Sequence, residues 1–315
     1  MKILHDGDHG GDDFVATLFA LGRPDLFDVQ GVVTCHGNTS VEQAGRNACA
    51  CLELAGRPEI PVHVGASTAM GMCRSQGDDA FGGNGLGGVE MPPAAKQPEA
   101  EAASEWLKRQ LSGASSPATL CVTGPLTNIA NLLGEHPECR SGIERIVVMG
   151  GCLGPLGPFQ RFGNITPHAE FNFFMDPEAA NYVLECGVPV TLLPMDATHQ
   201  LVLTEDRKRA ALSRWHGASG ERLIRMLSSV ESLDHQKFEL PGAVIHDLHV
   251  FAYLATPELY QTFECGLRVV TDPKADKGGR LLICGDRPPV TVVGGILSPD
   301  RVFEEMVTAI SNSLR

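Results

Sequence analysis

Short apolar runs alternate with amphipathic stretches along the first two-thirds of the chain. The runs Lys2–His5, Val29–Thr34, Val62–Val64, Ala118–Val122, Arg145–Met149 and Val190–Pro194 read as strands buried on both faces, as in a parallel sheet. Between them, Phe14–Leu21, Val41–Ala55, Glu99–Gln110, Ile129–His136 and Pro177–Cys186 follow a helical pattern. Pro24, Gly56-Arg57-Pro58 and Gly187-Val188-Pro189 mark where helices stop. The alternation predicts an α/β fold with a mostly parallel, Rossmann-like central sheet flanked by helices, and a ligand site at the carboxyl ends of the strands. Thr204–Lys237 reads as helices, so a cap-like helical segment is expected around 204–240. Gly266–Val270 and Pro289–Val293 read as the closing strands, followed by a helix from Pro299. Met70–Lys96 breaks the rhythm, because Phe81-Gly82-Gly83-Asn84-Gly85-Leu86-Gly87-Gly88 and Met91-Pro92-Pro93 suit neither a helix nor a central strand. A long irregular loop inside a compact domain is usually functional or disordered.

Charge narrows the partners. A net charge of −13 leaves no basic stripe for a nucleic-acid polymer, while a small neutral ligand such as a nucleoside or sugar stays open. The 315 residues suffice for one large α/β domain or two small ones. The ten cysteines are scattered, only Cys49 and Cys51 lie close together, and neither a disulfide framework nor a zinc site is indicated. Buried, reduced thiols are expected. No apolar stretch approaches the roughly 20 residues needed to cross a bilayer, and a strand starts too early for a signal peptide. A cytoplasmic protein without membrane association is expected.

The densest chemistry is the octet Asp6-Gly7-Asp8-His9-Gly10-Gly11-Asp12-Asp13, directly after the first strand. Four carboxylates this close repel one another unless a cation sits among them. The glycines let the backbone curl around a small object, and a hard divalent ion such as Ca²⁺ or Mg²⁺ suits oxygen-only donors. The competing reading is a solvated acidic turn capping the next helix with Asp12 or Asp13. An EF-hand is excluded, since Thr17 stands where its bidentate glutamate belongs.

Three further segments look like strand-end loops. Val122-Thr123-Gly124-Pro125-Leu126-Thr127-Asn128 would turn sharply from strand to helix, which on its own is an ordinary junction. Gly163-Asn164-Ile165-Thr166-Pro167-His168-Ala169-Glu170-Phe171-Asn172 offers donors and acceptors suited to vicinal hydroxyls, or is a polar surface loop. His246-Asp247 at a helix start is either a cap or an acid beside a metal ligand. Taken in order with Thr34-Cys35-His36-Gly37-Asn38, Met149-Gly150-Gly151 and Ala169-Glu170-Phe171-Asn172-Phe173-Phe174-Met175-Asp176-Pro177-Glu178, these segments resemble the inosine–uridine preferring nucleoside hydrolases over essentially the whole chain. The octet is similar to that family's D-x-D-P-G-x-D-D fingerprint, with His9 in place of proline.

The resemblance implies a single domain, 1–315, that hydrolyses the N-glycosidic bond of ribonucleosides to free base and ribose with Ca²⁺ as cofactor. It implies that Asp8, Asp13 and Asp247, with the main-chain carbonyl of Thr123, hold the ion, and that Asp8 is also the general base. Asp12 and Asn172, with Asn38 nearby, match residues that hold the 2′- and 3′-hydroxyls, and Asn164 and Glu170 match those at the 5′-hydroxyl. His246 matches a histidine that helps protonate the departing base, a role suited to a near-neutral pKa. A homodimer or homotetramer is also implied.

Phe81 stands where many members carry a histidine, and Asp234 and His235 lie where many present a tyrosine. Both positions face the base in the family, so Phe81 is expected to line the base site. Two other readings compete. In a haloacid-dehalogenase-type phosphohydrolase Asp6 would be the nucleophile, but Gly10 stands where that family wants Thr or Val. A non-catalytic nucleoside- or ribose-binding protein would not need Asp8, Asp13 and His246 together.

Overall fold

The computed structural model describes residues 1–71, 81–272 and 277–314, so part of the irregular segment, 72–80, lies outside the described residues. The parallel strands are β1 (Lys2–Gly7), β2 (Asp28–Thr34), β3 (Val62–Val64), β4 (Ala118–Val122), β5 (Ile143–Met149) and β6 (Val190–Leu193). A two-residue pair, β7 (Val202–Leu203) and β8 (Ala243–Val244), forms a separate small sheet. Strands β9 (Tyr260–Val269), β10 (Leu281–Cys284) and β11 (Pro289–Ile296) complete the main sheet of nine, in the order β10-β9-β11-β6-β5-β4-β1-β2-β3. Strand β9 runs antiparallel to β10 and β11, and β11 runs parallel to β6.

Alternate residues of each central strand enter opposite cores. Ile3, Val32, Cys121 and Val147 join one, while Leu4, Val33, Leu120 and Val148 join the other. That is why the central strands read as continuous apolar runs: both faces are covered. Helices α1 (Gly11–Leu21) and α2 (Val41–Leu54) cover one face, and α3 (Ala103–Leu111) and α4 (Thr127–Glu135) cover the other. Two short helices follow β5, α5 (Phe171–Met175) and α6 (Pro177–Val183), and α7 (Met195–Thr198) follows β6. The stretch expected to be helical resolves into α8 (Glu205–Leu212), α9 (Gly217–Ser228) and α10 (Glu231–Phe238). Helices α11 (Leu248–Ala255) and α12 (Pro299–Ser313) pack on α1, all eleven residues of which are buried.

Three boundaries depart from the sequence reading for identifiable reasons. Helix α3 starts at Ala103 rather than Glu99, because the Glu99 amide donates to the Val62 carbonyl and extends the edge of β3. Strand β9 begins at Tyr260, six residues before the expected start, since Gln261–Glu264 are exposed and lack the apolar signature. Strand β10 was not expected; its residues Leu282, Ile283 and Cys284 are at least partly exposed at the sheet edge. Nine cysteines among the described residues are free thiols, seven of them buried. No helix among the described residues is long and apolar enough to cross a membrane.

The chain runs from β1 outward through β2 and β3, then returns to the other side of β1 as β4. The carboxyl ends of β1 and β4 therefore flank a topological switch point, where an open α/β sheet places its ligand.

Candidate active site

The Thr123 amide donates to the Asp6 carbonyl, so the loop after β4 lies directly against the octet after β1. There the backbone leaves the strand through His9, whose φ of +34° no proline could adopt. Asp13 closes the turn by accepting from the Gly10 amide at 2.9 Å, which starts α1 at Gly11, earlier than the apolar pattern suggested.

The octet and the start of α11 converge. Asp12, Asp13 and Asp247 each bring a carboxylate oxygen within 4.8 Å of the others, and all three are buried. Asp8 joins them through a side-chain hydrogen bond to Asp13 and accepts from the Asn38 amide at 2.7 Å and its Nδ2 at 3.0 Å. A side chain at Gly37 would overlap the Asp8 carboxylate, which explains the Gly-Asn pair after β2. Burial first, and then the neighbouring aspartates, push Asp8 and Asp247 well above the carboxylate range and Asp12 up to about 7. Asp12 Oδ1 is buried with no hydrogen-bond partner.

Beneath the cluster a buried chain orients Asp13. Its Oδ1 accepts from the Thr123 hydroxyl at 2.6 Å, and Thr123 contacts His5 Nε2 at 2.9 Å. Burial holds His5 well below its ordinary pKa, so the ring is neutral and is positioned on its other side by Thr17. Only their position behind the octet ties His5 and Thr17 to the site.

The cluster opens into a cavity of about 440 Å³, within the range of small-molecule sites. Asp12, Asn38, Thr123, Asn164, Glu170, Asn172, His246 and Asp247 line it, while Asp8 and Asp13 lie just behind. Asn172 Nδ2 donates to the carbonyls of Thr123 and Met149, which leaves its Oδ1 for a ligand. Asn164 Oδ1 accepts from the Phe171 amide, which leaves its NH₂. Glu170 caps α5: its two oxygens take the amides of Gly151, Asn172 and Phe173, and burial raises it to about 7. Capping is thus a second task for Glu170 that the sequence did not announce.

Part of the cavity's lining is apolar. Phe81 lines it, on a loop held by Thr39 to the Gly83 carbonyl and by Asn47 to the His9 and Asn84 carbonyls. Helix α10 and its preceding residue present Val230, Leu233, Asp234 and Lys237, the i, i+3, i+4, i+7 face of a helix. Of the two positions flagged there, Asp234 lines the cavity, whereas His235 is exposed and contacts the Leu240 carbonyl instead.

Two sequence expectations are corrected. His246 is not near neutral in pKa: burial, followed by His199 and His249, pushes it well below the ordinary histidine range. Its Nδ1 lies 2.7 Å from the Thr198 hydroxyl. Asp6, the nucleophile of the phosphohydrolase alternative, lies inside β1 and accepts from Asn128 Nδ2 at 2.8 Å, outside the cavity lining. That alternative fails.

Comparison with known proteins agrees with this geometry. Residues 3–302 match the family described as inosine-uridine preferring nucleoside hydrolase. The pyrimidine-specific ribonucleoside hydrolase RihA of Escherichia coli is 36% identical over 300 residues, covering 93% of each chain. The protein of the same name from Citrobacter koseri is 34% identical over 303 residues, again covering 93% of each. Among solved structures, a purine-preferring ribonucleoside hydrolase from Gardnerella vaginalis superposes with a TM-score of 0.88 at 30% identity, over 100% of this chain and 99% of that one.

Proposed function

The chain belongs to the inosine–uridine preferring nucleoside hydrolase family, and from that premise we propose that it cleaves ribonucleosides to base and ribose with Ca²⁺ at the Asp8–Asp13–Asp247 cluster. The carrying observation is four buried carboxylates gathered at the switch-point crevice, Asp12, Asp13 and Asp247 within 4.8 Å of one another and Asp8 hydrogen-bonded to Asp13, opening into a nucleoside-sized cavity. Buried like charges at this spacing need protons or a cation, and a donor set made only of oxygens suits calcium. Asp8, Asp13, Asp247 and the Thr123 carbonyl would hold the ion. When bound, it neutralises the cluster and, as a Lewis acid, acidifies and orients the attacking water.

The protein's own groups do the rest. Asp8, fixed by two hydrogen bonds from Asn38, accepts the proton of the attacking water. Asp12, with its unpartnered Oδ1, and Asn172 Oδ1 accept from the 2′- and 3′-hydroxyls. The Asn164 NH₂ and the Glu170 carboxyl face the 5′-hydroxyl. The resulting ring of oxygens stabilises positive charge as it develops at the anomeric carbon. Losing the 2′-hydroxyl would leave Asp12 unsatisfied, so deoxyribonucleosides are expected to be poor substrates. The test is release of reducing sugar from inosine, uridine, cytidine, adenosine and guanosine, with calcium and after chelation. Binding without release from any of them would make the protein a nucleoside-binding protein.

His246, neutral at pH 7, would act as a hydrogen-bond donor to the base through Nε2, with Nδ1 accepting from Thr198. An imidazolium acid would lose rate as pH rises through about 6.5, whereas a neutral donor has no such limb. Wild-type kcat on uridine or inosine is therefore expected not to fall between pH 6 and 8 on account of this residue. His246→Ala should slow ribonucleosides by about 10²-fold or more yet barely affect p-nitrophenyl riboside, whose leaving group departs as a stable anion. Equal losses on both would leave His246 as a structural neighbour of Asp247.

Phe81 supplies a stacking face for the base. Phe81→Ala is expected to raise KM for nucleosides severalfold, the scale of an aromatic contact worth about 0.5–1.5 kcal/mol, with a smaller loss in kcat. An unchanged KM would confine Phe81 to packing within its own loop.

A further inference from the structure

The cavity is electrically lopsided. Asp8, Asp12, Asp13 and Asp247 gather at its floor, and among the described residues lining it Lys237 is the only lysine or arginine. Lys237 sits on the last turn of α10, on the face that also turns Val230, Leu233 and Asp234 inward. Val230, Leu233, Val244 and Phe81 are among the apolar side chains that line the same cavity. A half-buried ammonium set among apolar side chains interacts more strongly with a developing charge than it would in open solution.

Resting on the nucleoside hydrolase reading, we infer that Lys237 is a second group, beside the His246 donor, that stabilises the departing base by facing the negative charge that develops on its ring, and that Asp234 positions it. As the C1′–N bond breaks, its electron pair passes to the ring nitrogen while the oxygen of water bonds C1′. The water's proton goes to the carboxylate base, and the ring takes its own proton from solvent after release. Positive charge thus appears on the sugar against the carboxylates and negative charge on the base against the ammonium. The cavity is complementary to that separation of charge, which is larger in the transition state than in the bound substrate.

Asp234 lies three residues before Lys237 on the same face of α10. Its Oδ2 accepts from the Val244 amide at 2.8 Å, which ties α10 to β8, and the nearby charge of Lys237 favours its ionised form. Burial opposes this and leaves the carboxyl raised to about 7, with the Val244 hydrogen bond first and the Lys237 charge second among the influences that favour its ionised form. The signal in the sequence was only the missing tyrosine at Asp234; the pairing with Lys237, three residues on, appears once the helix face is known.

The test compares Lys237→Met, which keeps the aliphatic stem, and Lys237→Arg on uridine, inosine and p-nitrophenyl riboside. Lys237→Met is expected to lower kcat on both nucleosides 10- to 100-fold with little change in KM, and to lower turnover of p-nitrophenyl riboside less than threefold. Lys237→Arg should recover most of the lost kcat. Asp234→Asn, which keeps an acceptor for Val244, should lower nucleoside kcat by an intermediate factor. Equal losses on all three substrates, or no loss on nucleosides, would overturn the assignment while leaving the hydrolase reading intact. A wild-type protein inert on every ribonucleoside would overturn both.

Discussion

Asp247→Asn is expected to fold, to lose calcium binding and turnover together, and, without calcium at pH 8, to be more thermally stable than the wild type. The argument starts from the carboxyl's surroundings. Asp247 is buried at the start of α11, and after burial itself the neighbours that raise its pKa are Asp12, Asp13 and Asp8. A carboxyl whose folded pKa lies above its unfolded value of about 3.9 contributes stability that is complete below that value and is lost as pH rises through the folded one. For Asp12 that loss extends up to about 7, and for Asp247 it extends upward from about 4 as well. Calcium-free wild type should thus have a lower Tm at pH 8 than at pH 5, and calcium should recover most of the difference by binding the ionised cluster. An asparagine cannot ionise, so it removes part of the loss; it also lowers the charge available to the ion, and affinity for a divalent cation falls steeply with carboxylate count. Asp13→Ala should abolish binding and turnover too, but with the opposite effect on stability. Asp13 is the acceptor for the Gly10 amide and the Thr123 hydroxyl, and removing it strands both donors. Calorimetric titration with calcium and thermal unfolding at the two pH values would decide. Wild-type affinity in either variant removes that residue from the ion's site.

What the sequence makes legible follows from how local each feature is. The parallel strands were readable because Val29–Thr34 and Ala118–Val122 are apolar on both faces, which only a doubly covered sheet requires. The first half of β9 and all of β10 were not, because the edge exposes Phe263 and Ile283 and blurs the pattern. The aspartates of the octet announce themselves by crowding into eight residues, whereas Asp247 could be joined to them only through the family resemblance, since no spacing rule links positions so far apart. Side-chain state was less accessible still. That His246 is held neutral depends on burial beside His199 and His249, and that Glu170 caps a helix depends on the short α5, which a loop-like sequence conceals. On α10 the family resemblance points to Asp234, but Lys237 is not legible in the sequence, because two charged residues turn inward and the helix lacks the clean apolar stripe that pattern reading seeks.

Asp8→Asn is expected to retain ribose binding and lose at least about two orders of magnitude in kcat, the usual scale for a general base. The side chain sits behind the cavity wall formed by Gly37 and Asn38, and its oxygens accept from the Asn38 amide and side chain. An amide at this position still offers one oxygen to the Asn38 backbone, and reversal of the Asn38 carboxamide pairs the new NH₂ with an oxygen. The fold around the octet should therefore survive, and, as for Asp247, the calcium-free Tm at pH 8 should not fall. What is lost is the capacity to accept a proton. Asp8 is suited to that task because Asn38 fixes its carboxylate inside the cluster that would hold the ion and its water. The measurement is steady-state turnover of uridine and inosine alongside competitive binding of free ribose. Reduced kcat with unchanged ribose affinity supports the assignment. Turnover within about tenfold of wild type would move the base elsewhere in the cluster, with Asp12 and its unpartnered buried oxygen as the next residue to replace.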